Sequence, residues 1–170
     1  MGLLEPHGRY RRRDGEAGLN MGRLTGIARH GAPKAVIETI DSARVTLAAG
    51  IEGDHRGGLK GQPYNRQVTL IEAGDWAAAT AEVGASLPWW ERRANLLVDA
   101  VDLPQRPGAR LRIGVDVVLE VTEETEPCER MEALIPGLRA ALTPDWRGGV
   151  LAKVISEGDI RIGDAIVLEG

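Results

Sequence analysis

From Met21 onward, apolar residues come in short runs separated by glycine, proline and charged positions, without long helical stripes. MGRLTGIARH (21–30), AVIETI (35–40), RVTLAAG (44–50) and RQVTLIE (66–72) have the length and branched residues of strands. The next segment departs from that pattern. In AGDWAAATAEVG (73–84), Trp76, Ala79, Thr80 and Val83 recur at helical spacing, and Gly84 stands where such a helix stops. After Pro88, Trp89 and Trp90 the strand-like runs resume as ANLLVD (94–99), LRIG (111–114), VVLEVT (117–122), VLAKVIS (150–156), DIRIG (159–163) and AIVLE (165–169). A helical region near 128–142 interrupts them. Strands far outnumber helices, which predicts a mainly β fold, a β-rich α+β domain.

An internal echo sharpens this. LRIGVDVVLE (111–120) returns in IRIGDAIVLE (160–169), each a strand, a glycine turn and a second strand. Two copies are too few for a solenoid, so they predict two similar corners of one barrel. Closing the sheet would also hide the edges of apolar strands such as AIVLE.

Composition narrows the class. The 170 residues carry 21 Lys and Arg against 25 Asp and Glu, a net charge of −4, without the basic excess of a general nucleic-acid binder. Cys128 is the single cysteine, so neither an internal disulfide nor a Cys-x-x-Cys zinc or redox centre can form. Three histidines, His7, His30 and His55, make a three-histidine zinc site a poor expectation. No apolar stretch approaches the ~20 residues of a membrane span, and a cytoplasmic protein is expected. Residues 1–20 lack periodicity and are expected to be a disordered leader, an appended segment or an upstream start, with 21–170 as one domain.

Phosphate-loop, serine-hydrolase elbow and zincin motifs are absent. Three segments carry candidate chemistry instead. In VTEETEPCERM (121–131), Pro127 suits the first helical position, which places Cys128 in a first turn whose amides favour a thiolate. Arg130 acts in the same direction, whereas Glu123, Glu124, Glu126 and Glu129 oppose it. On composition alone a buried, inert cysteine is the commoner case. In GIEGDHRGGLKG (50–61) and the following Arg66, glycines permit close approach of a ligand. There Arg56, Lys60 and Arg66 offer charge to a phosphate or similar anion. His55, beside Asp54, is a candidate proton donor, the ordinary alternative being an exposed loop histidine. Finally, Arg92 and Arg93 before Asn95, and Arg147 in DWRGG (145–149), adjoin tryptophans that could stack a flat ring.

Taken in order, GIEGDHRGG, RQVTLIE, ANLLVD, LRIG with VVLEVT, ETEPCERM, PGLRAAL and DWRGGV resemble the MOSC domain, the family named for the C-terminal domain of molybdenum cofactor sulfurases. The likeness runs from about residue 21 to 170 and is nearest to the small, stand-alone bacterial type. Many members read Gly-Asp-Arg-His where this chain has Gly53, Asp54, His55 and Arg56, which leaves the role of His55 open. The resemblance implies a closed β-barrel with a few peripheral helices and a cysteine, here Cys128, that ligates the molybdenum of a pterin cofactor or carries sulfur. One thiolate suffices when the metal arrives already held by a dithiolene. Asp54, Arg56, Lys60, Arg66, Arg92, Arg93, Asn95 and Arg147 are the expected cofactor-binding residues, with His55 and Cys128 in the chemistry. The implied activity is reduction of N-hydroxylated compounds with electrons from a partner reductase, since no flavin or nicotinamide fingerprint is present. The alternative is a carrier that hands persulfide sulfur or the whole cofactor to an acceptor protein. With three lysines, Lys34, Lys60 and Lys153, and no room for a second fold, pyridoxal phosphate is not expected.

Overall fold

The structure, a computed structural model, describes residues 2–4, 10–12, 21–56 and 66–169. Lys60 lies outside the described residues, as do His7 and most of the segment expected to be a leader. Strands β1 (Gly2–Leu4) and β2 (Tyr10–Arg12) form a separate two-stranded antiparallel ladder.

The runs read as strands at Met21 and beyond are strands. They are β3 (Met21–Arg29), β4 (Glu38–Ile40), β5 (Ser42–Thr46), β6 (Gly50–Ile51), β7 (Val68–Glu72), β8 (Leu96–Asp99), β9 (Arg110–Ile113), β10 (Val117–Glu124), β11 (Val150–Ser156), β12 (Gly158–Arg161) and β13 (Ala165–Glu169). Seven of them close a ring in the order β3, β8, β7, β11, β10, β9, β13, and β13 returns to β3 through Met21 with Val167. Every pairing in the ring is antiparallel except β7 with β8. That parallel pair needs a crossover. The chain supplies one as helix α1 (Ala73–Glu82) and a 3-10 turn over Trp89–Arg92.

Alternation sorts the faces. In β3 the exposed Met21, Arg23 and Thr25 alternate with buried Gly22, Leu24 and Gly26, so one face turns into the barrel and the other to water. Strand β7 instead is buried at every position, because both its faces are covered. Val68 and Leu70 join Leu24, Leu96, Leu111, Leu119 and Ile166 inside the barrel. Ile71 joins Trp76, Met131, Leu138 and Leu142 in a second core under α1, α2 (Glu129–Leu134) and α3 (Leu138–Leu142). The site therefore sits where the helical layer meets one end of the barrel wall.

The internal echo is only half a structural repeat. The first copy is a hairpin, β9 with β10. In the second copy β12 leaves the barrel to pair with β5 in a three-stranded sheet, and only β13 stays in the ring. The two glycine turns pack together, with the Gly114 amide donating to the Ala165 carbonyl at 2.9 Å.

Candidate functional site

Strand β10 ends at Glu124, and the chain then runs Thr125, Glu126, Pro127 to Cys128, which is the extended N-cap residue of α2. Its carbonyl accepts the Met131 amide at 3.0 Å, and its thiol is exposed. A buried, inert cysteine is thus not what the structure shows. Pro127 is buried where the arm turns, so the proline fixes the point at which the strand becomes a helix.

The cysteine opens on a cleft of about 220 Å³ lined by Arg56, Arg66, Arg92, Arg93, Thr125, Glu126 and Arg130 among others. A second cleft of about 490 Å³ shares Arg56, Arg66, Arg93 and Arg130 with the first and adds His30, Lys34 and His55. Glycine loop, 3-10 turn and cysteine arm, far apart in sequence, meet here.

Arg92 is buried and fixed by carbonyls: Nε donates to Gly148 at 3.1 Å and Nη2 to Thr125 at 2.9 Å. Burial lowers its pKa, the charge of Cys128 raises it and that of Arg56 lowers it. Arg93 sits in left-handed backbone, and its pKa is lowered by burial and then by Arg130 and Arg56. Like charges held this close create a field that an anion relieves. Arg66 pairs with Glu123 at 3.5 Å, while Arg56, Arg93 and Arg130 form no salt bridge among the described residues. The neighbouring 57–65 stretch, GGLKGQPYN, contains Lys60 and no acid. Burial, and then Glu126, raise the pKa of Glu124 at the end of β10, so that end of the arm disfavours further negative charge.

In the lining of the larger cleft, His30 follows the last residue of β3. Its amide donates to Asp54 Oδ1 at 3.2 Å, its carbonyl accepts the His55 amide at 2.7 Å, and its Nδ1 lies 3.6 Å from the same Asp54 oxygen. The His30 and His55 rings are 6.3 Å apart. Burial is the largest influence and lowers the His30 pKa, against the raising effect of Asp54. His30 was not singled out from sequence, because what marks it is a contact with Asp54 24 positions away.

Three expected cofactor residues, Asp54, Asn95 and Arg147, are not among those lining either cleft, and buried Asp54 instead holds His30. Asn95 is buried in the frame: Oδ1 accepts from the Thr69 amide and hydroxyl, and Nδ2 donates to the Ala28 carbonyl. It ties β7 to β3, and Asn95→Ala, which strands those groups in the interior, is expected to cost about 2–4 kcal/mol. Chemical denaturation would register this as a lower midpoint with an unchanged slope. Arg147, 1% exposed, reaches Glu82 Oε1 and the Ala141 carbonyl, both at 2.9 Å, and so clamps α1 to α3. Nor does any tryptophan line either cleft among the described residues, since Trp89 packs on Gly26 and Trp146 on the barrel core. The flat groups on these walls are guanidinium faces instead.

The set fits a polyanion better than a bare metal. No group of three or more His, Cys, Asp or Glu able to hold a metal ion occurs among the described residues. Also, no helix there is long and apolar enough to cross a membrane.

Comparison with known proteins agrees with the fold. The family model described as the MOSC domain matches residues 29–167. The YuaD protein from Bacillus subtilis superposes with a TM-score of 0.71 at 20% identity, covering 86% of this chain and 94% of that one. YiiM from Escherichia coli gives 0.63 at 16% identity, covering 87% and 70%. YiiM from Geobacillus stearothermophilus gives 0.62 at 14%, covering 88% and 75%. No curated protein sequence matches the chain.

Proposed function

The chain belongs to the MOSC domain family, and we propose that it binds the molybdenum cofactor with the Cys128 sulfur as metal ligand and reduces N-hydroxylated compounds. The observation that carries this reading is the exposed thiol set among Arg56, Arg66, Arg92, Arg93 and Arg130. A lone thiol is too few donors for a bare ion but completes a metal already held by two sulfurs. Thr125 Oγ1, buried in the wall of the same cleft without a hydrogen-bond partner, is an orphan that a polar ligand would satisfy.

The residues divide the work. Arg92, locked by two carbonyls, is a fixed charge beside the sulfur, and its rigidity means no reorganisation accompanies anion binding. Exposed Arg56, Arg66 and Arg130, with Lys60, would hold the cofactor's phosphate, guanidinium forks matching its oxygens. Asp54 fixes His30, which lines the larger cleft together with His55. When bound, the cofactor supplies a two-electron redox metal. The balanced reaction is R–NHOH + 2 e⁻ + 2 H⁺ → R–NH₂ + H₂O, with electrons from a partner protein. Exposure of Cys128 also suits the second reading, a carrier whose thiol hands sulfur or cofactor to an acceptor.

The test is molybdenum per chain by elemental mass spectrometry after mixing the protein with cofactor and removing unbound material on a sizing column. Near one atom per chain is expected, and background metal would end the ligand reading. Adding a reduced viologen and a hydroxylamino base then separates the two roles. Amine formation marks a reductase, and metal retention without turnover marks a carrier.

A further inference from the structure

We propose that His30, held by Asp54, is the proton donor of this cleft, delivering a proton to the hydroxyl oxygen of an N-hydroxylated substrate as its N–O bond breaks. The inference rests on the reductase reading and adds a residue to it. That reaction consumes two protons, one joining nitrogen and one joining the departing oxygen to make water, while the partner supplies the two electrons. The guanidiniums around Cys128 do not give protons readily, because each holds its own. Imidazole is the side chain suited to that exchange near neutral pH.

The geometry selects His30 over His55. His30 is pinned at both ends of its own residue, by its amide to Asp54 Oδ1 and by its carbonyl to the His55 amide. Its Nδ1 faces the same carboxylate at 3.6 Å, and the Asp54 side chain is 1% exposed. A carboxylate there stabilises the ring when Nδ1 carries hydrogen and leaves Nε2 as the exchanging atom. The His55 side chain has no hydrogen bond among the described residues and so lacks such an orienting partner. Both rings line the cleft that shares four arginines with the Cys128 cleft, so a substrate at the sulfur is within one continuous space of His30.

The charged groups around His30 set the direction of its pH response. Burial, Arg93, Arg56 and His55 lower its pKa and Asp54 raises it, while Lys34, Arg66 and Arg130 complete the cationic wall. The net effect is a pKa below 6.5. Its protonated fraction therefore grows as pH falls through a midpoint lower than that of an ordinary imidazole, and the reductive rate should rise with it.

Two readouts test this. In metal-free protein, the His30 ring signals in NMR should titrate below pH 6.5, and Asp54→Asn should move that midpoint lower still. In cofactor-loaded protein driven by reduced viologen, kcat/KM should be highest at low pH and decline as pH rises through the His30 midpoint, which is the limb at issue. His30→Gln should lower kcat about 100-fold with KM little changed and flatten the limb, whereas His55→Gln should keep it. An unaltered pH profile in His30→Gln, a limb away from the His30 midpoint, or a midpoint that ignores Asp54→Asn each overturns the assignment. Wild type that retains metal without turnover sinks the reductase reading itself and this role with it, a result distinct from active enzyme indifferent to His30.

Discussion

Cys128→Ala is expected to bring molybdenum retention from near one atom per chain to background, a loss of tenfold or more, and to abolish reduction of N-hydroxylated compounds. The substitution removes the single thiol of the chain, and the surrounding guanidiniums cannot replace it, because a cation does not ligate a metal. Stability should hardly change. The thiol is exposed and its residue serves the helix through its backbone carbonyl, which alanine retains. Exposed substitutions of this kind stay within about 0.5 kcal/mol, or about 1–2 °C of Tm in a chain this long. The pair of measurements, metal content and melting, separates loss of a ligand from loss of a fold. Metal that survives in Cys128→Ala would mean that the arginines alone hold the cofactor, and the sulfur would then lose its role as anchor.

The second large effect is structural. Gly149→Ala is expected to destabilise the protein by about 3–5 kcal/mol, combining left-handed backbone strain with overpacking. Gly149 has φ +103°, and a Cβ there would come within 2.1 Å of the Leu70 carbonyl oxygen. That contact lies where β11 begins to pair with β7, and the Gly149 carbonyl also takes the Thr125 amide at 2.9 Å. Displacing this corner therefore disturbs the barrel wall and the arm that carries Cys128 together. Gly163→Ala is the control: its φ is +99°, but nothing lies within 4 Å of the added carbon. Its cost should be backbone strain alone, about 1–3 kcal/mol. Thermal melts of the two variants that coincide would show that the close approach to Leu70 carries no weight.

Elements with a strong local signal were legible in the sequence. Helix α1 lies where Trp76, Ala79 and Thr80 repeat, and it gives way to Gly84 at φ +67°. The strands around the ring follow their apolar runs, although AVIETI supplies only Glu38–Ile40, its exposed Val36 lying outside the strand. What local pattern does not carry is which sheet a strand joins. IRIG and LRIG look alike, yet burial against β5 takes the first out of the ring. Site residues divide in the same way. A cation near a glycine or a tryptophan reads as a ligand contact, but Arg147 spends its charge on Glu82 and a helix carbonyl. Asn95 likewise spends its amide on Thr69 and Ala28. Whether a polar side chain faces a cleft or the frame depends on partners dozens of positions away, and sequence spacing holds no record of them.

The closure of the ring has a kinetic consequence. Strand β3 finds β13 through Arg23 with Ala165 and Met21 with Val167, partners more than 140 positions apart. Until that seam forms, β3 and β13 each present an unpaired edge, and the entropy of joining such distant segments must be met before their contacts reward it. The chain should accordingly refold on the slow side, in milliseconds to seconds, with its exposed edges open to pairing between molecules at high concentration. Refolding yield should therefore fall with protein concentration, and an excised 165–169 peptide should compete for the seam.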